Sequence, residues 1–215
     1  MNYKKLGKSG VEVSELILGC WAMGGDYFGA TEDESSLEAL QVSYENGVNT
    51  FDTAEIYGSG RSERVVGEAA RRIGRDKVKI ISKVFKPSMA HDKMVKACED
   101  SLSRLGTDYL DVYFLHYPIP EEEVSIQERM ETMTELKKAG KIRAIGLSNF
   151  SLQEMKAARD NVLVRQRLDA LRTAAEGSDN LMPYILDCAR VYCTEGEICG
   201  ELRKVFGEYR PMEVL

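Results

Sequence analysis

The feature that most limits what this chain can fold into is a repeat of about 30 residues, the usual size of one βα unit. In each repeat a short apolar run is followed by an amphipathic stretch with helix start and stop residues. The apolar runs lie at 14–21, 49–54, 78–85, 109–117 and 142–150. Most are nearly continuous, which suits strands buried on both faces of a parallel sheet. Between them, Thr31 with Glu34 reads as a capping box opening a helix over 33–45, with Gly47 as its stop. Ser62 is expected to cap a helix over 63–73 ahead of Gly74, while helices over 91–105 and 125–139 run to Gly106 and Gly140. Ahead of the first run, 3–6 and 11–13 flank Gly7–Gly10 as a small hairpin. Five βα units in series with right-handed crossovers lead to a barrel or to an open doubly wound sheet, and the pattern leaves both open.

After residue 160 the style changes to helix alone. A helix is expected over 164–176, a second capped by Asn180 with Pro183 in its first turn, and a third opened by a Thr194–Glu197 capping box and running to about Phe206. With 43% hydrophobic and 30% charged residues in 215, the chain is neither disordered nor a coiled-coil rod. A net charge of −6 without a basic block excludes a sequence-independent grip on nucleic acid. The longest apolar stretch, 16–25, is half of the ~20 residues that span a bilayer. Glu12 and Glu15 interrupt any signal peptide, so a cytoplasmic location and no membrane partner are expected. Cys20, Cys98, Cys188, Cys193 and Cys199 are an odd set without close pairing, which reads as free thiols. With His91 and His116 as the only histidines, no metal site is expected. Gly58-Ser59-Gly60 is not completed to a dinucleotide fingerprint, since position 63 is Glu.

What remains is a set of polar residues at the carboxyl ends of successive runs: Asp52 with Tyr57, Lys83, His116, and Ser148 with Asn149. In parallel α/β folds those ends build the active site. Taken singly, Asp52 could cap a turn and His116 could be a core histidine. Lys83, inside Ile80-Ile81-Ser82-Lys83-Val84-Phe85, needs a partner if buried, and the coincidence of the set favours chemistry. The chemistry that fits is proton donation to a carbonyl oxygen as its carbon receives a hydride. An ammonium about 4 Å from a phenolate attracts it by roughly 4 kcal/mol at an effective dielectric of about 20, which eases release of the phenol proton. Asp52 would hold Lys83, and His116 would orient the substrate oxygen.

With these stretches in view, residues 1–158 resemble the aldo-keto reductase family, built on a (β/α)8 barrel. The likeness rests on Gly19-Cys20-Trp21-Ala22-Met23-Gly24-Gly25, Phe51-Asp52-Thr53-Ala54-Glu55-Ile56-Tyr57-Gly58, Ser82-Lys83-Val84, Leu115-His116-Tyr117-Pro118 and Gly146-Leu147-Ser148-Asn149-Phe150. The resemblance implies Tyr57 as proton donor, Asp52, Lys83 and His116 as its tetrad partners, Ser148 and Asn149 on the carboxamide of a nicotinamide, Trp21 in the substrate pocket, and NADPH as cofactor. The fold implied is a partial barrel of about five βα units, with open strand edges that invite self-association. The matched stretches lack the family's loops for the cofactor phosphates, which implies weak NADPH binding. Residues 159–215 resemble a different family, the C-terminal end of the methylmalonyl-CoA mutase large subunit, through Asn180-Leu181-Met182-Pro183-Tyr184-Ile185-Leu186-Asp187 and Val205-Phe206-Gly207-Glu208-Tyr209. The cobalamin motif DxHxxG is absent, so no cobalamin is expected. Two functions follow: reduction of a small aldehyde or ketone with NADPH, or a non-catalytic chimera whose helical tail docks as in the mutase.

Overall fold

The computed structural model describes residues 1–26, 29 and 31–208. They form two compact units, 1–150 and 151–215, the second described to residue 208.

The first unit opens with an antiparallel hairpin, β1 (Tyr3–Lys5) and β2 (Glu12–Ser14). A five-stranded parallel sheet follows: β3 (Leu18–Gly19), β4 (Thr50–Asp52), β5 (Lys79–Val84), β6 (Leu110–Leu115) and β7 (Ile142–Leu147). Between consecutive strands run α1 (Asp33–Glu45), α2 (Arg61–Ile73), α3 (His91–Leu105) and α4 (Ile126–Lys138). Each strand pairs with its successor in sequence. A doubly wound sheet needs a point where the strand order reverses, and this sheet has none. Among the described residues the strands are therefore wound in sequence, without a switch point.

Register fixes the site. Asp52 pairs with Ile81, Ile81 with Val112, and Val112 with Ala144, giving one row across four strands. Side chains alternate along a strand, so Lys83, Phe114 and Gly146 form the next row of the same face, nearer the carboxyl ends. Val11 and Val13 of the hairpin pack on Ile81, Val112 and Ala144. The amino end of this face is thus filled with apolar side chains. In the next row a Cβ on Gly146 would lie 2.5 Å from the Phe114 ring, so the missing side chain makes room for the ring.

Several local expectations change. The run at 14–21 yields only two strand residues, because Ser14 ends β2 and Trp21–Gly24 turn as a 3-10 helix. Thr31 does not cap α1: its Oγ1 accepts from Arg61 Nη1 at 3.3 Å and its carbonyl from Nη2, so the guanidinium takes the groups a cap would use. Ser62 does not cap α2 either. The helix starts two residues earlier, after Gly60 at φ 83°, and the buried Ser62 hydroxyl donates to Cys20 O at 2.7 Å.

The second unit comprises α5 (Leu152–Ala158), α6 (Asn161–Glu176), α7 (Met182–Arg190) and α8 (Glu195–Phe206). Its core gathers Val164, Leu168, Leu171 and Cys188. The capping box of Thr194 and Glu197 is formed in full. Asn180 sits one residue outside the α7 cap, and its Oδ1 accepts from Met182 N at 3.0 Å. Helix α5 was not foreseen, although Ser151 and Glu154 make a complete capping box at its start. All five cysteines are free. Among the described residues no helix is long and apolar enough to cross a membrane.

Candidate active site

Three strand ends deliver the four central residues. Asp52 is the last residue of β4, Tyr57 lies in the turn that follows, Lys83 is next to last in β5, and His116 comes directly after β6. Lys83 is only 7% exposed and its ammonium is well partnered. It donates to Asp52 Oδ1, to Thr53 O at 2.9 Å and to Tyr57 Oη at 3.3 Å. A buried ammonium demands a counter-charge, and Asp52 supplies it. The third bond fixes the tyrosine oxygen on the ammonium. Sequence reasoning needed that contact, and the fold makes it.

His116 meets the Tyr57 ring edge-on at 5.8 Å between centroids. Burial, helped by the nearby Lys83 charge, pulls its pKa down to about 4, so the imidazole is neutral near neutrality. Its Nδ1 is buried with no hydrogen-bond partner among the described residues. Trp21, 45% exposed, stacks on Tyr57 with centroids 5.9 Å apart. That stack rests on two glycines. A Cβ on Gly58, which has φ 59°, would sit 2.2 Å from Gly24 O, and Gly58 N donates to Asp26 Oδ2 at 2.7 Å. Only glycine tolerates both that backbone angle and that approach.

Past β7, Asn149 holds φ 63°, and its amide donates to His116 O at 2.9 Å and to Ser148 Oγ at 3.0 Å. Both amide protons are thereby used. The Asn149 Oδ1 and the Ser148 hydroxyl proton form an acceptor and a donor side by side, the complement of a primary carboxamide.

Two carboxylates behind the tetrad escaped the sequence reading. Glu55 accepts from Phe85 N at 2.5 Å, tying the tyrosine turn to the end of the lysine strand, and burial raises its pKa. Glu63 is fully buried, bonded to Ser82 Oγ at 2.6 Å and to Arg104 Nε at 2.6 Å. Glu63 opens the first turn of α2, where an acid is ordinary, so its position gave no warning. Among the described residues no group of three or more His, Cys, Asp or Glu side chains is placed to hold a metal.

The profile of the aldo/keto reductase family matches residues 15–173, which takes in every one of these side chains. The chain belongs to the aldo/keto reductase family. The family match runs past residue 158 and through most of α6. Aldo-keto reductase YhdN of Bacillus subtilis (strain 168) is 40% identical over 169 residues, covering 74% of this chain and 50% of that protein. Methylglyoxal reductase YeaE of Escherichia coli (strain K12) is 38% identical over 156 residues, covering 72% and 52%. The chain thus spans about half the length of these family relatives. Among solved structures, an aldo-keto reductase from Klebsiella pneumoniae in complex with NADPH superposes with a TM-score of 0.64 at 24% identity, over 98% of each chain, a likeness of fold. Nothing in these comparisons supports the mutase-like reading of 159–215.

Proposed function

We propose that the chain is a cytoplasmic oxidoreductase of its family that moves a hydride between NADPH and a small aldehyde or ketone, methylglyoxal being the first to test. The reading is carried by one observation: the buried Lys83 ammonium bonds Asp52 and Tyr57 together at the carboxyl end of the sheet. The donor–acceptor pair of Ser148 and Asn149 fits the carboxamide of a nicotinamide, and these two residues would hold it. The nicotinamide supplies the hydride for the carbonyl carbon. Tyr57 Oη gives its proton to the carbonyl oxygen, and the charge left on it faces Lys83. Neutral His116 hydrogen-bonds the same oxygen and fixes its direction, while Trp21 walls the pocket beside Tyr57. No observation favours the alternative of a non-catalytic docking chain.

The test is NADPH-dependent reduction of methylglyoxal, read by loss of the reduced-nicotinamide absorbance. Tyr57→Phe is expected to lower kcat by about 10³-fold, within the range for general acid catalysis. Quenching of Trp21, the single tryptophan, should show NADPH affinity unchanged in this variant. Retention of most of the rate would reassign the donor.

The five-stranded sheet is, in this reading, part of a (β/α)8 barrel, with β3 and β7 its edges among the described residues. Edge strands with open backbone groups pair between molecules. Sedimentation equilibrium at micromolar concentration should therefore show self-association, and a stable monomer would contradict it.

A further inference from the structure

The end of α7 closes in an unusual way. Tyr192 N donates to Ala189 O at 3.1 Å, and Cys193 N reaches back to Cys188 O at 3.0 Å. Between them Tyr192 holds φ 63°, a left-handed angle rare for a bulky residue and usually left to glycine. This is the Schellman closure, which sets the residue two past the cap against the residue three before it, ordinarily as an apolar contact. Here both positions are cysteine. Cys188 is fully buried in the core of α6–α8, and the half-buried Cys193 packs against that core. The loop is held from both sides. Thr194, directly after Cys193, caps α8, and Arg159 Nη1 donates to Tyr192 O at 2.6 Å.

We infer that Cys188 and Cys193 form a dithiol–disulfide site whose oxidant is a small disulfide of the glutathione class. Two cysteines set against each other by a backbone turn that fixes both Cα atoms, and sharing one apolar core, need little movement to bridge. Cys193 is the entry sulfur because it alone of the pair reaches solvent. Its thiolate attacks one sulfur of the small disulfide, forming a Cys193 mixed disulfide and expelling one thiolate. The Cys188 thiolate then attacks Cys193 Sγ, forms the internal disulfide and expels the second. Two protein thiols are oxidised and one disulfide is reduced to two small thiols, with two protons shed by the cysteines and taken up by the leaving thiolates. Burial raises both thiol pKa values, Cys188 to about 12, so exchange should be slow near neutrality and speed up as pH rises.

The whole chain incubated with oxidised glutathione at mildly alkaline pH should lose the mass of two hydrogens. A non-reducing tryptic digest should join peptide 173–190 to peptide 191–203. The same link should form in Cys199→Ser, which removes the other cysteine of the second peptide. Cys188→Ser should stop with glutathione on Cys193, and Cys193→Ser should leave Cys188 unmodified. An unchanged mass in the wild-type chain, or a link that requires Cys199, would overturn the inference and leave the pair as an apolar contact.

Discussion

The two ends of the parallel sheet each bury a charge, and they handle it in opposite ways. Near the amino end, Asp111 is fully buried, and each of its contacts is to a fixed donor: Arg75 Nη2 at 2.9 Å, Arg143 Nη1 at 3.1 Å and Ile80 N at 3.0 Å. The two guanidiniums also sandwich the Tyr109 ring, at 3.9 and 3.8 Å from its centroid. These partners are two guanidiniums and a backbone amide, groups that serve as donors and not as acids. At the carboxyl end, Lys83 is nearly as buried, yet one of its three partners is a phenol in contact with an exposed tryptophan. Its counter-ion Asp52 keeps about a third of its side chain, 34%, in solvent. The first arrangement is a staple. The second is, in the proposed function, a proton device, and the difference lies in which partner can exchange.

Breaking each end separately should separate rate from stability. Lys83→Met is expected to have the largest effect, lowering carbonyl reduction by about a hundredfold or more, because it removes the charge that faces the developing phenolate. Stability should fall far less than the rate, since the Asp52 left without its counter-ion keeps 34% of its side chain in solvent. Turnover measured beside urea unfolding would expose a structural role if the unfolding midpoint fell in step with the rate. Asp111→Asn should show the reverse: a loss of about 3 kcal/mol from leaving two guanidiniums and a ring stack without their anion, at unchanged rate per folded molecule. Urea midpoints at constant slope give that number directly. The smallest effect sharpens the contrast in the helical unit. Glu197 accepts from Arg159 at 2.6 and 3.0 Å, and that guanidinium pulls its pKa from 4.5 to about 2. A lowered folded-state pKa stabilises above the unfolded value, and the stabilisation is lost as pH falls through the folded one. The pair, still 28% exposed on the Glu197 side, should contribute about 1 kcal/mol above pH 4.5 that fades towards pH 2. Calorimetry should show this acid-limb slope vanish in Glu197→Gln.

The sequence disclosed the polar set at the strand ends because one alternation rule governs it: Asp52, Lys83 and His116 sit at strand positions or just beyond them, where periodicity is strong. It did not disclose the direction of winding, which depends on how strands choose neighbours. Thr31 and Ser62 show the limit of capping rules. Thr31, two residues before α1, and Ser62, second in α2, are both of a type that caps helices, and both lose the role to a tertiary partner, Arg61 in one case and the Cys20 carbonyl in the other. Glu55 and Glu63 were illegible for the same reason, since their partners Phe85 N and Arg104 lie 30 and 41 residues away. The Ser151–Glu154 box was local and visible, but the preceding apolar run drew the eye to a strand end.

Sequential winding also sets how the site can be altered. Because β4, β5 and β6 carry Asp52, Lys83 and His116 to the same rim and each runs on into its own helix, the crossovers are separate segments of chain that meet only at contacts such as Glu55–Phe85 and Asn149–His116. Exchange of residues 117–125, between His116 and α4, for instance, leaves Asp52, Tyr57, Lys83 and His116 in place. If the proposed function holds, the pocket wall can therefore be exchanged by cut-and-splice, one crossover at a time, while the reacting atoms stay where they are.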